Sequence, residues 1–214
     1  LTQRTHVDVE RASLYKGMAK KTMKLLLENW RRFLKEEEQE YEIYCDMDGV
    51  LVDFELGAVE YITSDLKSGK ASELGEELGR DYITAEDIKS NKSVRNYMYK
   101  ELEHNAEFWE NLPWMPNGRE VWAAIAPYEP SILTTPMGYG SEIGKQAWID
   151  NNLNPPPQKV FMSREKYNWA TKDSILIDDW TKNTIPWEEH DGIALLYKDS
   201  EIEKTMSRLQ ELGL

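Results

Sequence analysis

Two pairs of closely spaced carboxylates are the strongest sign of chemistry in this sequence. The segment 46–49, Asp-Met-Asp-Gly, places two carboxylates two residues apart, and Asp178 and Asp179 form the second pair. Each pair directly follows a short apolar run that is typical of a buried strand. Carboxylates gathered at one edge of a sheet repel one another unless a cation lies among them. Hard oxygen ligands of this kind suit Mg²⁺, which proteins often share with a phosphate group.

Hydroxyl groups and a cation follow two further apolar runs. Thr134 and Thr135 come after one run, and Lys166 comes shortly after another. Each motif alone is most often structural, since Asp-x-Asp-Gly commonly forms a turn and Asp-Asp commonly caps a helix. Their joint occurrence at four successive strand ends favours a functional site.

The elements that position these groups follow an alternating pattern. Short apolar runs predict five buried strands, at 43–45, 131–133, 159–162, 174–177 and 193–196. Between and after them, helical periodicity predicts helices that include 117–126, 141–152 and 200–212. Strands that alternate with helices predict an α/β fold with a parallel sheet between two helical layers. In such sheets the functional groups lie just beyond the carboxyl ends of the strands.

The interval 54–115 breaks this alternation. It is polar and mostly helical in pattern, and we expect Gly69, Gly75 and Gly79 to interrupt its helices. We interpret it as a helical cap inserted after the first strand, above the carboxyl edge of the sheet. Its aromatic residues are expected mainly to form the core of the cap, with a slot for stacking a base as the alternative; they are Tyr61, Tyr82, Tyr97, Tyr99, Phe108, Trp109 and Trp114.

A further helix is predicted over residues 11–40, where apolar residues recur at helical spacing between lysines and arginines. It is expected to pack on the domain, to form a homodimer contact or to dock a partner. The sequence therefore divides into an N-terminal helical extension (1–42), a core domain (43–53 and 116–214) and the cap (54–115).

Composition excludes several classes of protein. The 214 residues carry a formal net charge of −13 and contain one cysteine, so a disulfide framework and a cysteine-rich zinc site are excluded. No stretch approaches the roughly 20 apolar residues of a membrane helix, and we expect no membrane association and a cytoplasmic protein. A strongly negative chain does not attract long nucleic acids through its overall field.

The motifs resemble those of the haloacid dehalogenase (HAD) superfamily of phosphotransferases over about residues 43–198. The four superfamily motifs correspond to 43–53, 132–136, Lys166 and 175–179. Segments that also resemble the 5′(3′)-deoxyribonucleotidase branch are 46–55, 108–113, 132–136 and 176–179. The resemblance implies a three-layer Rossmann-like domain with a parallel central sheet, a helical cap and, here, an extra N-terminal helix.

The resemblance also implies roles for the first two carboxylates. Asp46 would be the nucleophile that forms an aspartyl-phosphate. Asp48 would protonate the leaving oxygen and then deprotonate the attacking water, and its backbone carbonyl would be a metal ligand.

The remaining motif residues would bind the phosphate and the metal. Thr134 and the amides near Thr135 would bind phosphoryl oxygens, and Lys166 would offset the charge between nucleophile and phosphate. Asp178 would bind Mg²⁺ directly, and Asp179 would bind it directly or through water. These groups supply the positioning and charge neutralisation that phosphoryl transfer requires.

Substrate preference rests on aromatic residues. Phe54 directly follows the first motif, and Trp180 stands where the nucleotidase branch commonly has Arg, so either ring could stack on a base. The sequence thus predicts a Mg²⁺-dependent phosphomonoesterase for nucleoside monophosphates. The alternatives are a phosphatase of polynucleotide ends or sugar phosphates, or a binding or assembly protein that keeps the fold and acts through its N-terminal helix.

Overall fold

The computed structural model of the protein describes residues 41–214. The helix predicted over 11–40 lies outside the described residues, so its proposed contacts stay predictions. No helix within 41–214 has the length and apolar character needed to cross a membrane.

A five-stranded sheet forms the centre of the described chain. Its strands are β1 (Glu42–Cys45), β2 (Ser131–Thr134), β3 (Val160–Met162), β4 (Ser174–Asp178) and β5 (Ile193–Leu196). All neighbouring strands are parallel, in the order β3-β2-β1-β4-β5. The predicted parallel α/β sheet is confirmed.

The central strands show why continuous apolar runs were informative. Every residue of β2 and β4 is buried, as expected for strands covered on both faces by helices. β1 pairs with β4 through Ile43 opposite Ile175 and Cys45 opposite Ile177. The chain moves from β1 to β2 and β3 on one side, then crosses to β4 on the other side of β1. This reversal leaves a crevice between the ends of β1 and β4, where ligands bind in open parallel sheets.

Five helices occupy most of the interval after β1. They are α1 (Phe54–Ser68), α2 (Ser72–Leu78), α3 (Ala85–Ser90), α4 (Lys92–Leu102) and α5 (Ala106–Glu110). Gly69 and Gly79 end α1 and α2 with φ of 80° and 64°, a left-handed conformation that favours glycine. The expectation that Gly75 interrupts a helix is wrong: it lies inside α2, where its N–H and C=O both make helical hydrogen bonds.

Four more helices surround the sheet. They are α6 (Gly118–Ile125), α7 (Tyr139–Asn152), α8 (Thr181–Glu189) and α9 (Ile202–Glu211). Three of them correspond to the predicted segments 117–126, 141–152 and 200–212. The sequence analysis did not predict α8, which contains Pro186, a residue that usually ends a helix.

Close packing joins α5 to α7. Gly140 donates a backbone hydrogen bond to Glu103 O at 3.0 Å, and a Cβ at Gly144 would lie 2.5 Å from the Cβ of Trp109. Trp148 of α7 donates its indole N–H to Leu112 O at 2.9 Å. Because glycine has no side chain at these two positions of α7, α5 can lie close to the α7 backbone. This close approach places Trp109 near the end of the sheet.

Candidate active site

A buried turn after β1 places the first two carboxylates. Asp46 N–H donates to Ile177 O at 2.9 Å and so continues the pairing of β1 with β4. The turn closes through Gly49 N–H donating to Val52 O at 2.9 Å, and Val52 is fully buried. Gly49 has φ of 75°, and a Cβ there would collide with the carboxylate of Asp179. Glycine is thus required both by the backbone and by the neighbouring carboxylate.

Lys166 joins the ends of β1 and β4. Its ammonium lies 2.8 Å from Asp46 Oδ1 and 2.7 Å from Asp178 Oδ2, and the side chain is 1% exposed. Burial alone would lower the pKa of Lys166, but the two carboxylates outweigh it and raise the pKa above its usual value. The lysine is therefore a fixed positive charge between the predicted nucleophile and a predicted metal ligand.

Three carboxylates converge in the crevice between β1 and β4. Asp46, Asp178 and Asp179 each offer an oxygen, and these atoms lie within 4.8 Å of one another. Burial and the charge of Asp46 raise the pKa of Asp178 to about 6 and that of Asp179 to about 7. A divalent cation would remove this repulsion, and an all-oxygen donor set suits Mg²⁺. The residues present therefore fit a magnesium ion.

The start of α8 fixes Asp178. Trp180 N–H donates to Asp178 Oδ1 at 2.9 Å, and the Asn183 side-chain amide lies 3.0 Å from both carboxylate oxygens. The sequence analysis did not identify Asn183, because Pro186 obscured the helix that carries it. The feature that could have identified Asn183 is its position five residues after Asp178, which places it in the first turn of α8, over the end of β4.

A second buried lysine, which sequence analysis did not identify, holds Asp48. Lys145 in α7 is fully buried and donates to Asp48 Oδ2 at 2.5 Å, Thr134 Oγ1 at 2.8 Å and Thr135 O at 2.9 Å. Its ammonium also lies 5.1 Å from the ring centre of Trp109. All three N–H donors are thus engaged by the chain itself.

The Asp48 side chain lies outside the three-carboxylate set and has its own environment. Its side chain is 31% exposed, while Oδ1 is buried and has no hydrogen-bond partner. Burial raises the pKa of Asp48 above its ordinary value, and Lys145 opposes this rise. Burial thus favours the protonated form of this carboxyl group and Lys145 favours the ionised form, the two states between which an acid–base group alternates.

The two predicted phosphate-binding threonines lie at the end of β2. Thr134 is fully buried, and its hydroxyl accepts from Lys145. The Thr135 hydroxyl donates to Ser163 O at 3.0 Å, so it ties the end of β2 to the loop after β3.

The two predicted stacking residues have different surroundings. Phe54 stacks on Trp109 with ring centres 5.2 Å apart and contacts Phe108 edge to face. Trp180 is 54% exposed, and the Lys182 ammonium lies 4.8 Å from its ring centre. Phe54 is therefore part of an aromatic cluster, whereas Trp180 presents most of its ring to solvent.

Comparisons with known proteins show the fold. No family model matches the chain, and no curated protein matches it. A hydrolase from Streptococcus pneumoniae TIGR4 is 13% identical with a TM-score of 0.52, over 78% of this chain and 99% of that one. Similar solved structures also include a HAD-family enzyme from Bacteroides thetaiotaomicron in complex with magnesium and inorganic phosphate, 14% identical over 75% of this chain and 96% of that one, with a TM-score of 0.45. The L-2-haloacid dehalogenase from Xanthobacter autotrophicus is 16% identical over 72% of this chain and 76% of that one, with a TM-score of 0.43. The chain therefore shares its α/β fold with the S. pneumoniae hydrolase.

Proposed function

We propose that the protein is a Mg²⁺-dependent phosphomonoesterase of the HAD superfamily that hydrolyses nucleoside monophosphates. One observation carries this proposal: Asp46 both belongs to the three-carboxylate set and lies 2.8 Å from the Lys166 ammonium. A nucleophilic carboxylate needs this combination, because it must approach a phosphate dianion without prohibitive repulsion.

The first half of the reaction transfers the phosphoryl group to the protein. A carboxylate oxygen of Asp46 forms a bond to phosphorus, and the bond from phosphorus to the ester oxygen breaks. The carboxyl proton of Asp48 passes to that leaving oxygen, which departs as a neutral alcohol. The products are an aspartyl-phosphate on Asp46 and an ionised Asp48.

The second half restores both carboxylates. Asp48 takes a proton from a water molecule whose oxygen attacks phosphorus. The bond between phosphorus and Asp46 breaks, inorganic phosphate leaves, and Asp48 is protonated for the next cycle. The raised pKa of Asp48 supports the first proton transfer, and Lys145 keeps the ionised form stable enough for the second.

Binding groups surround this chemistry. Asp46, Asp178 and the Asp48 carbonyl would hold Mg²⁺, with Asp179 binding it directly or through water. When bound, the ion supplies positive charge that stabilises the phosphoryl oxygens in the transition state. Lys166 holds Asp46 in position through their 2.8 Å ion pair, while Thr134 and the amides near Thr135 bind the phosphoryl oxygens.

Lys145 acts as a positioning residue in this scheme. It donates to Asp48 and to the Thr134 hydroxyl, so a single ammonium fixes the acid–base group relative to the phosphate-binding loop. Because its three donors are occupied by the chain, it contributes through Asp48 rather than by contact with phosphate.

The proposed substrate class rests on size, charge and available aromatic surface. A nucleoside monophosphate carries little charge beyond the phosphate, so the net charge of −13 opposes it less than it opposes a polynucleotide. The exposed Trp180 directly follows the Asp178–Asp179 pair and offers a face for stacking a base. Base stacking on an aromatic side chain contributes about 1–3 kcal/mol.

A substrate panel tests the proposal. Nucleoside monophosphates, sugar phosphates and 5′-phosphorylated oligonucleotides should be assayed with Mg²⁺ and with excess chelator, beside Asp46→Asn. We expect Mg²⁺-dependent release of phosphate, with the highest kcat/KM for nucleoside monophosphates. Preferential cleavage of sugar phosphates or oligonucleotide ends would show that nucleoside monophosphates are not the substrate class. Full activity in chelator, or in Asp46→Asn, would contradict the proposed chemistry itself.

A further inference from the structure

A groove on the inserted helices lies apart from the carboxylate cluster. It has a volume of about 540 Å³ and runs between α1 and α5. Its lining residues are Gly57, Glu60, Tyr61, Asn105, Glu107, Phe108, Asn111, Leu112 and Pro113. This volume lies within the range of small-molecule sites in proteins.

The aromatic walls of this groove are held in place. The rings of Tyr61 and Phe108 contact edge to face, with centres 5.6 Å apart. Asn105 Oδ1 accepts from Phe108 N–H at 3.0 Å, and the Asn105 amide donates to the Tyr61 hydroxyl at 3.2 Å. A ligand would therefore meet walls that need little reorganisation on binding, which reduces the entropic cost of association.

The charged side chains that line the groove are acidic. Glu60 and Glu107 face the groove, and within residues 41–214 neither carboxylate has a hydrogen bond or ion pair. Among residues 41–214, no lysine or arginine lines the groove. Lys70 donates to the Tyr61 hydroxyl at 3.0 Å and lies 5.1 Å from its ring centre, but Asp65 and Glu101 already pair with this ammonium. Within the part of the chain that the structure describes, the two carboxylates of the groove therefore have no compensating charge.

From this arrangement we infer that the groove binds a small organic cation with a flat apolar body, such as an aromatic amine. The ring of the ligand packs on Tyr61 and Phe108, and its ammonium group pairs with Glu60 or Glu107. Aromatic walls also attract a cation through their quadrupole. The protein's net charge of −13 further concentrates cations near its surface.

The groove is separate from the proposed catalytic centre. None of its lining residues belongs to the three-carboxylate set or to the two lysine sites. Phe108 contacts Phe54, and Phe54 stacks on Trp109, whose ring lies beside Lys145. Phe108 also contacts Trp109 directly, edge to face with ring centres 5.3 Å apart. The ring of Trp109 therefore lies between the groove and Lys145, the group that holds Asp48, and the inference does not depend on the proposed phosphatase reaction.

Binding of benzylamine to the full chain tests the inference. At neutral pH benzylamine is a cation, and benzyl alcohol is its uncharged analogue of similar size. Amide NMR spectra should shift saturably at Glu60, Tyr61, Glu107 and Phe108 with benzylamine and much less with benzyl alcohol. The double variant E60Q/E107Q keeps the shape of the groove and should raise the Kd of benzylamine about fivefold.

A charge-matched control variant distinguishes binding in the groove from attraction by the protein's overall negative charge. E73Q/E76Q removes two exposed carboxylates from α2 and changes the net charge equally, so it should leave the Kd nearly unchanged. Equal weakening in both double variants, or equal binding of benzyl alcohol, would overturn the inference. Shifts confined to 46–49 and 178–179, or no saturable shift, would overturn it as well. Because no turnover is measured, these outcomes are independent of the proposed function.

Discussion

Two fully buried lysines at the same end of the sheet are surrounded by different net charges. Lys166 lies between Asp46 and Asp178, with Asp179 close by, so three carboxylates face one ammonium. Lys145 meets one carboxylate, that of Asp48, and two uncharged oxygens. The first region therefore has an excess of negative charge, whereas the second is neutral overall.

This difference in charge is consistent with the different tasks that we propose for the two regions. Asp46 and Asp178 are buried beside the more exposed Asp179, and this excess of carboxylates is costly unless a divalent cation relieves it, so the Lys166 region suits a metal and a nucleophile. A neutral lysine–carboxylate pair needs no further ion, so the Lys145 region suits a group that gains and loses a proton. The following experiments test this division, from the largest expected effect to the smallest.

Removing the charge of the proposed nucleophile should have the largest effect. Asp46→Asn keeps the side-chain shape but cannot form an aspartyl-phosphate, so kcat should fall by several orders of magnitude. Folding should stay near normal, because the substitution relieves repulsion among the three carboxylates. Steady-state phosphate release and thermal unfolding measure both effects. Asp81→Asn on the exposed surface is the control, and more than about a tenth of the activity in Asp46→Asn would contradict the assignment.

Removing the lysine of the neutral region should reduce turnover less. Lys145→Met leaves Asp48 without its cation, so kcat should fall by about 10²–10³, in the range for losing an acid–base group. The pKa of Asp48 should rise further because Lys145 lowers it in the native chain, so the pH–rate profile should move to higher pH. Lys67→Met is an exposed control. An unchanged profile with unchanged kcat would show that Lys145 has no role in the reaction.

The two lysines also differ in how far the sequence predicted them. Lys166 follows an apolar run, and the parallel topology brings every such strand end to one edge, so its neighbours Asp46 and Asp178 could be anticipated. Lys145 lies in the middle of α7, and the residues around it in the sequence resemble those around many surface lysines. Its burial depends on α5 packing against Gly144 and on the preceding residues 104–105 packing against Gly140, tertiary contacts that strand and helix periodicity does not encode.

The strands of the sheet and the helices of the insertion also differ in how well the sequence predicted them. Continuous apolar runs identified all five strands. β2 and β4 are buried at every position, as strands covered on both faces are, whereas the edge strand β3 is half-buried and the edge strand β5 has one buried residue. Within the insertion, helical pattern indicated helices but not their ends, and Gly75 was wrongly expected to break α2. Glycine ends a helix only where the backbone turns left-handed, and this depends on what the next segment packs against.

Metal binding should distinguish the two lysine regions by stability. Added Mg²⁺ should raise Tm by several degrees, because it binds only the folded state and removes the carboxylate repulsion. The increase should be larger in Lys166→Gln, where the three carboxylates lack their ammonium, and near normal in Lys145→Met. It should disappear in Asp178→Ala. Thermal unfolding with and without chelator measures this, and equal increases in the two lysine variants would contradict the proposed charge difference.

The smallest expected effect is the pH dependence of stability without metal. Folding raises the pKa of Asp179 from its ordinary value of 3.8 to about 7, because burial and the neighbouring carboxylates disfavour its charged form. Between these values the folded chain holds more protons than the unfolded chain. The free energy of unfolding should therefore fall as pH rises from about 4 to about 7.

Asp179→Asn should flatten this slope, since the amide does not titrate and no longer repels Asp46 and Asp178. Some slope should remain, because the pKa of Asp178 is also raised, to about 6. Tm measured in chelator across this pH range tests the prediction, with Asp81→Asn as a control that keeps the native slope. Saturating Mg²⁺ should abolish or reverse the slope in the native chain, since the ion favours ionised carboxylates. A slope as steep in Asp179→Asn as in the native chain would mean that the excess negative charge does not reside in the three-carboxylate set.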